Sequence, residues 1–265
     1  MFEYIILGIV QGLAEWLPIS SEGFIVLIQN TFYQSGSTFD FIGVALFLHI
    51  GTFLAAIVYF KKDVKQILST LWNFKKANLN DKKLFIFLFI STLISGAIGA
   101  LILLVLLLIE NLLALTGEIL AILIGFLLLL TSVLSFKTKE SGHKEQKNLT
   151  IFDGVILGIS QGLTALPGLS RSGTTVAFLL MRGFKDEEAL RLSFLMSIPI
   201  VLVANIGLNL IGGFSPTLNS LVGVLFAFIF GLLTIDWLMQ IARKIKFAWF
   251  TLIFGILIIL SVFIF

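Results

Sequence analysis

The chain has 265 residues, 58% hydrophobic and 12% charged, with a net charge of +3 and a mean hydropathy of +1.08. Those values lie far from the soluble averages and exclude a water-soluble fold. The absence of cysteine removes disulfides, thiolate metal sites and thiol nucleophiles, and His49 and His143 are too few for an imidazole-built zinc centre.

Long apolar runs recur to the last residue and do not alternate, which predicts an all-α polytopic membrane protein and not a β-barrel. Glu3 near the start, without a basic n-region or a small-residue cleavage site, argues against a removable signal peptide. Seventeen of the eighteen Lys and Arg residues fall in four stretches, 61–83, 137–150, 182–191 and 243–247, whereas 33–40, 110–118 and 213–219 hold none. This positive-inside bias predicts basic loops in the cytoplasm and bare loops outside, and it accounts for the basic pI without nucleic acid. Stretch 61–83 reads as a lysine loop within reach of anionic lipid.

In chain order, residues 2–32 read as a hairpin entering from outside, followed by spans 41–60, 84–109 and 119–136. Residues 151–181 start and end at cytoplasmic stretches, and two crossings would need about 20 residues each plus a turn. They are therefore expected to form a re-entrant hairpin with Pro167-Gly168 at its tip. Spans 192–212, 220–242 and 248–265 complete the chain.

Gly8 to Gly23 matches Gly158 to Gly173 across 150 residues, through Gly, Gln-Gly-Leu, Ser and Gly. One membrane domain over 1–265 follows, with repeat one at 1–136 and repeat two at 151–265. An odd number of crossings per half inverts the second against the first: an inverted-topology repeat of six transmembrane helices plus two re-entrant helical hairpins.

Past each tip come serines before a new half-helix, Ser20 and Ser21 in one repeat, Ser170 and Ser172 in the other. Such residues cap helices, and the free amides at a helix start favour an anion. Arg171, the eighteenth basic residue, lies in an otherwise apolar segment, where a guanidinium costs at least ~3 kcal/mol. It either pairs with Glu15 or Glu22 to fasten the hairpins, or serves an anion site; the second reading is favoured, because buried ion pairs are a poor source of stability.

Gln11 and Glu15, four residues apart, share a helix face. Repeat two keeps Gln161 but carries Ala165 where a carboxylate would stand. One hairpin is acidic and the other basic, which suits a phosphate substrate: Arg171 takes its oxygens while Glu15 binds a divalent cation or moves a proton. For Glu22 a role and a solvated place at a cavity mouth weigh equally. His49, mid-span, is expected to support or pack rather than transfer a proton.

Gln-Gly-Leu-x-Glu-x-Leu-Pro-x-Ser-Ser-x-Gly at 11–23, Pro-Gly-x-Ser-Arg-Ser-Gly at 167–173 and Phe-Leu-Met-Ser-Ile-Pro at 194–199 resemble the undecaprenyl-diphosphatase family nearly end to end. The resemblance implies a multi-pass plasma-membrane enzyme that removes the terminal phosphate of an isoprenoid diphosphate lipid, recycling the carrier of cell-wall glycans. It also implies a divalent cation, Mg or Ca, and a site open to the outer face. By motif, Gln11 and Glu15 would be the metal-binding pair, Ser20 and Ser21 the hydroxyls beside the phosphate, and Arg171 its arginine. Ser170, Ser172, Thr174 and Gln161 would complete the substrate-binding set.

One position departs from the pattern. The first motif usually ends Ser-x-Gly-His, and here Phe24 follows Gly23. Either Glu15 or Glu22 takes the proton, the histidine is dispensable, or activity is altered. The nucleophile is Ser21, through a phosphoserine, or a water activated by Glu15. A polyprenyl-phosphate transporter or flippase of the same architecture is the alternative. Membrane lipid is an expected partner, and a homodimer is compatible with the sequence.

Overall fold

The computed structural model describes residues 1–17, 21–28, 38–109, 142–166, 169–210 and 215–241, with isolated helical positions between 122 and 136 and between 249 and 260. Nearly all of this is helix: α1 (Phe2–Ala14), α2 (Ser21–Ile28), α3 (Thr38–Tyr59), α4 (Lys61–Trp72), α5 (Leu79–Ile109), α6 (Ile151–Leu163), α7 (Arg171–Met181), α8 (Asp186–Leu210) and α9 (Leu218–Ile241). Among the described residues α5, α8 and α9 are long and apolar enough to cross a membrane, and α3 with α4 makes a fourth candidate if counted as one bent span. The expected tip at Pro167-Gly168, and spans 119–136 and 248–265, lie outside the continuously described residues.

The two half-helices expected over 151–181 are α6 and α7, and local capping explains their ends. The Thr150 hydroxyl accepts the Asp153 amide at 3.2 Å while the Asp153 carboxylate accepts the Thr150 amide at 3.0 Å, a reciprocal box at the start of α6. Ser170 Oγ accepts the Gly173 amide at 3.1 Å at the start of α7. Helix α7 ends where Gly183 takes φ +85°, letting the Gly183 and Phe184 amides reach back to the Leu180 and Leu179 carbonyls.

Asp153, fully buried, also accepts from Arg182 Nε at 2.7 Å, so the beginning of α6 and the end of α7 are joined. The segment therefore returns to where it started. Around the same end, Arg191 binds Asp63, Glu188 and Gln146, the Lys83 ammonium reaches the Lys147 carbonyl at 2.6 Å, and Lys144 bridges to Phe184. The described parts of stretches 61–83, 137–150 and 182–191 thus gather at one end of the molecule.

The lysine loop is corrected in part. Residues 61–72 form α4, which leaves α3 at an 87° bend around Phe60. Val64, Ile67, Leu68, Leu71 and Trp72 recur at helical spacing between the lysines, and Leu68, Leu71 and Trp72 are exposed, as on a helix lying along a membrane surface.

Packing runs crosswise between the two halves of the chain. Helix α1 lies against α9, and α6 lies against α5. The repeated glycines allow it: a Cβ on Gly8 would stand 2.2 Å from the Gly223 carbonyl oxygen and one on Gly12 2.7 Å from the Gly231 nitrogen. On α6, a Cβ on Gly158 would be 2.8 Å from Ile94 Cβ and one on Gly162 2.6 Å from Ile98 Cβ. Small residues four apart let helices without a hydrophobic driving force approach closely. Helix α8 packs on α3, α5 and α7, and half of its apolar window is buried, against 17% of that in α5. Helix α5 therefore presents most of its surface outward.

Candidate active site

Glu15 follows directly on α1, is 6% exposed, and both of its carboxylate oxygens are engaged. Oε2 accepts from Ser21 Oγ at 2.7 Å and Gln11 Nε2 at 2.9 Å, and lies 3.0 Å from His49 Nε2; Oε1 accepts from Arg171. Four elements meet at this one group: the end of α1, the first residue of α2, the middle of α3 and the first residue of α7.

Each donor is aimed by its own neighbours. Arg171 gives a second hydrogen bond to the Ser193 carbonyl on α8 at 3.2 Å, and its guanidinium lies 5.8 Å from the centroid of the Trp16 ring. Trp16 is held edge-on by Phe194 at 4.9 Å. Ser172 Oγ donates to the Leu17 carbonyl at 2.8 Å, tying the start of α7 to the end of α1. Close approach of α3 to α9 at Gly51, where a Cβ would stand 2.4 Å from the Val224 carbonyl oxygen, seats α3 two residues past His49.

The histidine ring has an acceptor at both nitrogens. Nδ1 stands 2.7 Å from the Ala45 carbonyl, which can only accept, and Nε2 faces the carboxylate. Which of the two the ring donates to depends on its tautomer. An imidazole is thus present at the site although Phe24 occupies the motif position where one was expected.

A cavity of about 260 Å³ opens over this group, with Glu15, Ser21, His49, Ser170 and Arg171 at its polar end. Gln161 lines it farther along, donating to Ser95 Oγ at 3.0 Å. Ser172 and Thr174 are buried and are not among the lining residues. Ser20 and the Glu22 side chain lie outside the described residues. Ser193, Ser95 and Trp16 were not singled out from sequence: Ser193 acts through its backbone, and Ser95 sits in an apolar span with no motif around it.

The donor set is compatible with a hard divalent cation. Gln11 Oε1 is buried and makes no hydrogen bond, and the other nearby oxygens are the Glu15 carboxylate and the Ser21 hydroxyl. No trio of His, Asp or Glu that could hold a metal exists among the described residues. A cation here would draw most of its ligands from substrate phosphate and water.

A carboxylate, an arginine and a serine converge from two helix pairs whose motifs are repeated in the chain. A family model described as the bacitracin resistance protein BacA matches residues 4–259. The chain belongs to the BacA family. Within it, a Methanococcoides burtonii protein named undecaprenyl-diphosphatase is 43% identical over 265 residues, covering 98% of each chain. Proteins of the same name from Methanothrix thermoacetophila and Haloarcula marismortui are each 36% identical, covering 96% and 95% of this chain and 93% of their own. The BacA match embraces every residue placed at the cavity.

Proposed function

We propose that this chain is a membrane phosphatase that hydrolyses undecaprenyl-type polyprenyl diphosphate to the monophosphate and inorganic phosphate. The observation that carries the reading is the buried Glu15–Arg171 pair with Ser21 against the carboxylate, at the end of a cavity whose remaining lining is mostly apolar. An ionised pair at that depth is costly to retain for stability alone. Its chemistry suits a phosphate ester carried on a lipid.

In this mechanism the terminal phosphate binds Arg171 and the amides at the starts of α2 and α7. Phosphate drawing Arg171 away removes one of the donors on Glu15 and makes the carboxylate a stronger proton acceptor. Ser21 Oγ attacks the terminal phosphorus while its proton passes to Glu15. The bond from that phosphorus to the bridging oxygen breaks, and polyprenyl monophosphate leaves. Water then attacks the phosphoserine, its hydroxyl going to phosphorus and its proton returning through Glu15 to Ser21 Oγ; the net proton leaves to solvent. Glu15 and Gln11 would hold a Mg or Ca ion, which when bound neutralises phosphate charge.

The crosswise packing of α1 on α9 and α6 on α5 supports the inverted repeat of six spans and two re-entrant hairpins. The gathering of the basic stretches at one end supports a cytoplasmic face there, with the site reached from the other side in a plasma membrane.

The test is phosphate release from a polyprenyl diphosphate in detergent, with and without chelator, for wild type, Arg171→Ala and Ser21→Ala. Release that needs Arg171 and falls with chelator is expected. Near-normal turnover by Ser21→Ala would exclude the phosphoserine and leave water as the nucleophile. No release by wild type would overturn the phosphatase.

A further inference from the structure

Two groups of helical glycines stand at the extremes here. Gly8, Gly12, Gly51, Gly158 and Gly162 stand where a Cβ would strike a neighbouring helix. Gly96, Gly99 and Gly207 do not: a Cβ on Gly96 would come no closer than 3.6 Å, to Val203, and one on Gly99 no closer than 3.7 Å, to Ala165. On Gly207 it would meet nothing within 4 Å. Each glycine costs about 1 kcal/mol against alanine in a helix interior, and no neighbouring atom demands it.

All three line the cavity that ends on Glu15 and Arg171, together with Ala100 on α5 and Ala204 on α8. The cavity changes character along its length. Its inner end is buried and polar, whereas at its rim Ala100 and Val203 are exposed, flanked on the same helices by exposed Leu101, Leu104, Leu202 and Ile206. Ala100 and Gly207 each lie roughly 30 Å along their helix from its start at the basic end of the molecule. The opening therefore faces sideways, onto the apolar surface of the far half of the protein.

Gln161 marks the transition. It is 3% exposed, lines the cavity, and its Oε1 has no hydrogen-bond partner. A buried acceptor without a donor is costly unless an occupant or a bridging water supplies one. The polar part of an occupant thus reaches at least as far as Gln161; past it the lining is mostly apolar, with Asn205 on α8 as a polar exception whose amide donates to the Val201 carbonyl at 3.0 Å.

We propose that the gap between α5 and α8, kept open by Gly96, Gly99 and Gly207, is the slot through which the isoprenyl tail of a bound diphosphate passes from the site into the bilayer. The inference rests on the phosphatase reading and adds the tail's path to it. At about 260 Å³ the cavity takes the headgroup and the start of the tail. The remainder stays in lipid, so the slot reads the methyl-branched units nearest the phosphate and not the total chain length.

The experiment uses a polyprenyl diphosphate bearing a diazirine on the isoprene unit next to the phosphate, photolysed on the detergent-purified full chain and mapped by mass spectrometry. Phosphate release from the unmodified lipid is measured in parallel. Wild type should be labelled within 96–107 and 200–207. Gly99→Leu and Gly207→Leu should reduce labelling and raise KM about tenfold or more, the scale on which a pocket rejects extra methylenes. Ala97→Leu, on the exposed face of α5, should change neither.

Labelling confined to α1, α3 or α9, unchanged labelling in both leucine variants, or an equal loss in Ala97→Leu would overturn the slot. Gly207→Leu has the open space to fold and decides the matter if Gly99→Leu does not. Wild type that releases phosphate but is labelled elsewhere defeats the slot alone; wild type labelled here that releases none defeats the phosphatase reading alone.

Discussion

Arg171 and Glu15, 156 residues apart in the chain, form an ion pair in which the carboxylate side is 4% and the guanidinium side 15% exposed. Each holds the other's helix pair in place, and each carries a charge that a phosphate group could use. Removing one partner strands the other, at about 3–5 kcal/mol for a buried pair. Activity therefore has to be compared on monodisperse fractions. Arg171→Ala and Glu15→Gln should each lower turnover by about 10²–10³-fold. Combined, they should lose little more than the worse single variant, since the groups act as a unit. Losses that multiply would show that the two residues work independently.

His49 presents Nε2 to Glu15 while Nδ1 is held by the Ala45 carbonyl. A glutamine at 49 keeps a donor for the carboxylate; an alanine removes it and opens space beside a buried charge. His49→Gln should retain most turnover, and His49→Ala should lose about 10–100-fold, the range found when a partner that orients a functional group is removed. Equal loss in both variants would mean that the imidazole itself, rather than a hydrogen bond to Glu15, is required. Introducing histidine by Phe24→His should then leave the dependence on residue 49 intact.

The halves of the second hairpin were legible because residues 151–181 lie between two basic stretches and are too few for two crossings, and because Ser170 is a capping residue by type; the Thr150–Asp153 box at the start of α6 was not read from the sequence. Arg171 was legible through the cost of a cation in an apolar segment, and Glu15 through its repeat-breaking carboxylate. His49 was harder. Its partner depends on how α3 seats against α1 and α9, a matter of Gly51 and Val224 that no spacing within α3 reveals. Ser193 was invisible, since every residue offers a carbonyl. Helix α4 was there to find: Val64, Ile67, Leu68 and Leu71 follow a helical period, but seven lysines between 61 and 83 drew the reading toward a loop.

Membrane sidedness can be tested directly, because the chain has no cysteine to remove. Lys75 and Lys147 sit at the end where the basic stretches meet, and Thr217 lies exposed before α9. Single cysteines at Lys75→Cys and Lys147→Cys should react with a membrane-impermeant maleimide only after the cytoplasmic face is opened. Thr217→Cys should react in intact cells. Position 147 reacting from the outside while 75 does not would break the positive-inside assignment, and with it the return of the hairpin over 151–181 to the face it leaves.

The two groups of glycines predict opposite responses to the smallest possible side chain. At Gly8 the added methyl meets the Gly223 carbonyl at 2.2 Å, backbone against backbone, so α1 and α9 must separate. Overpacking of that kind costs about 1–3 kcal/mol, and a domain of this size loses roughly 2–4 °C per kcal/mol. At Gly207 nothing stands within 4 Å, and alanine gains up to about 1 kcal/mol in helix propensity. Gly8→Ala should therefore melt several degrees below wild type in detergent, and Gly207→Ala at or above it. A loss of stability at Gly207 matching that at Gly8 would mean that the α5–α8 gap is closed by packing, and that its glycines are there for the helices rather than for what lies between them.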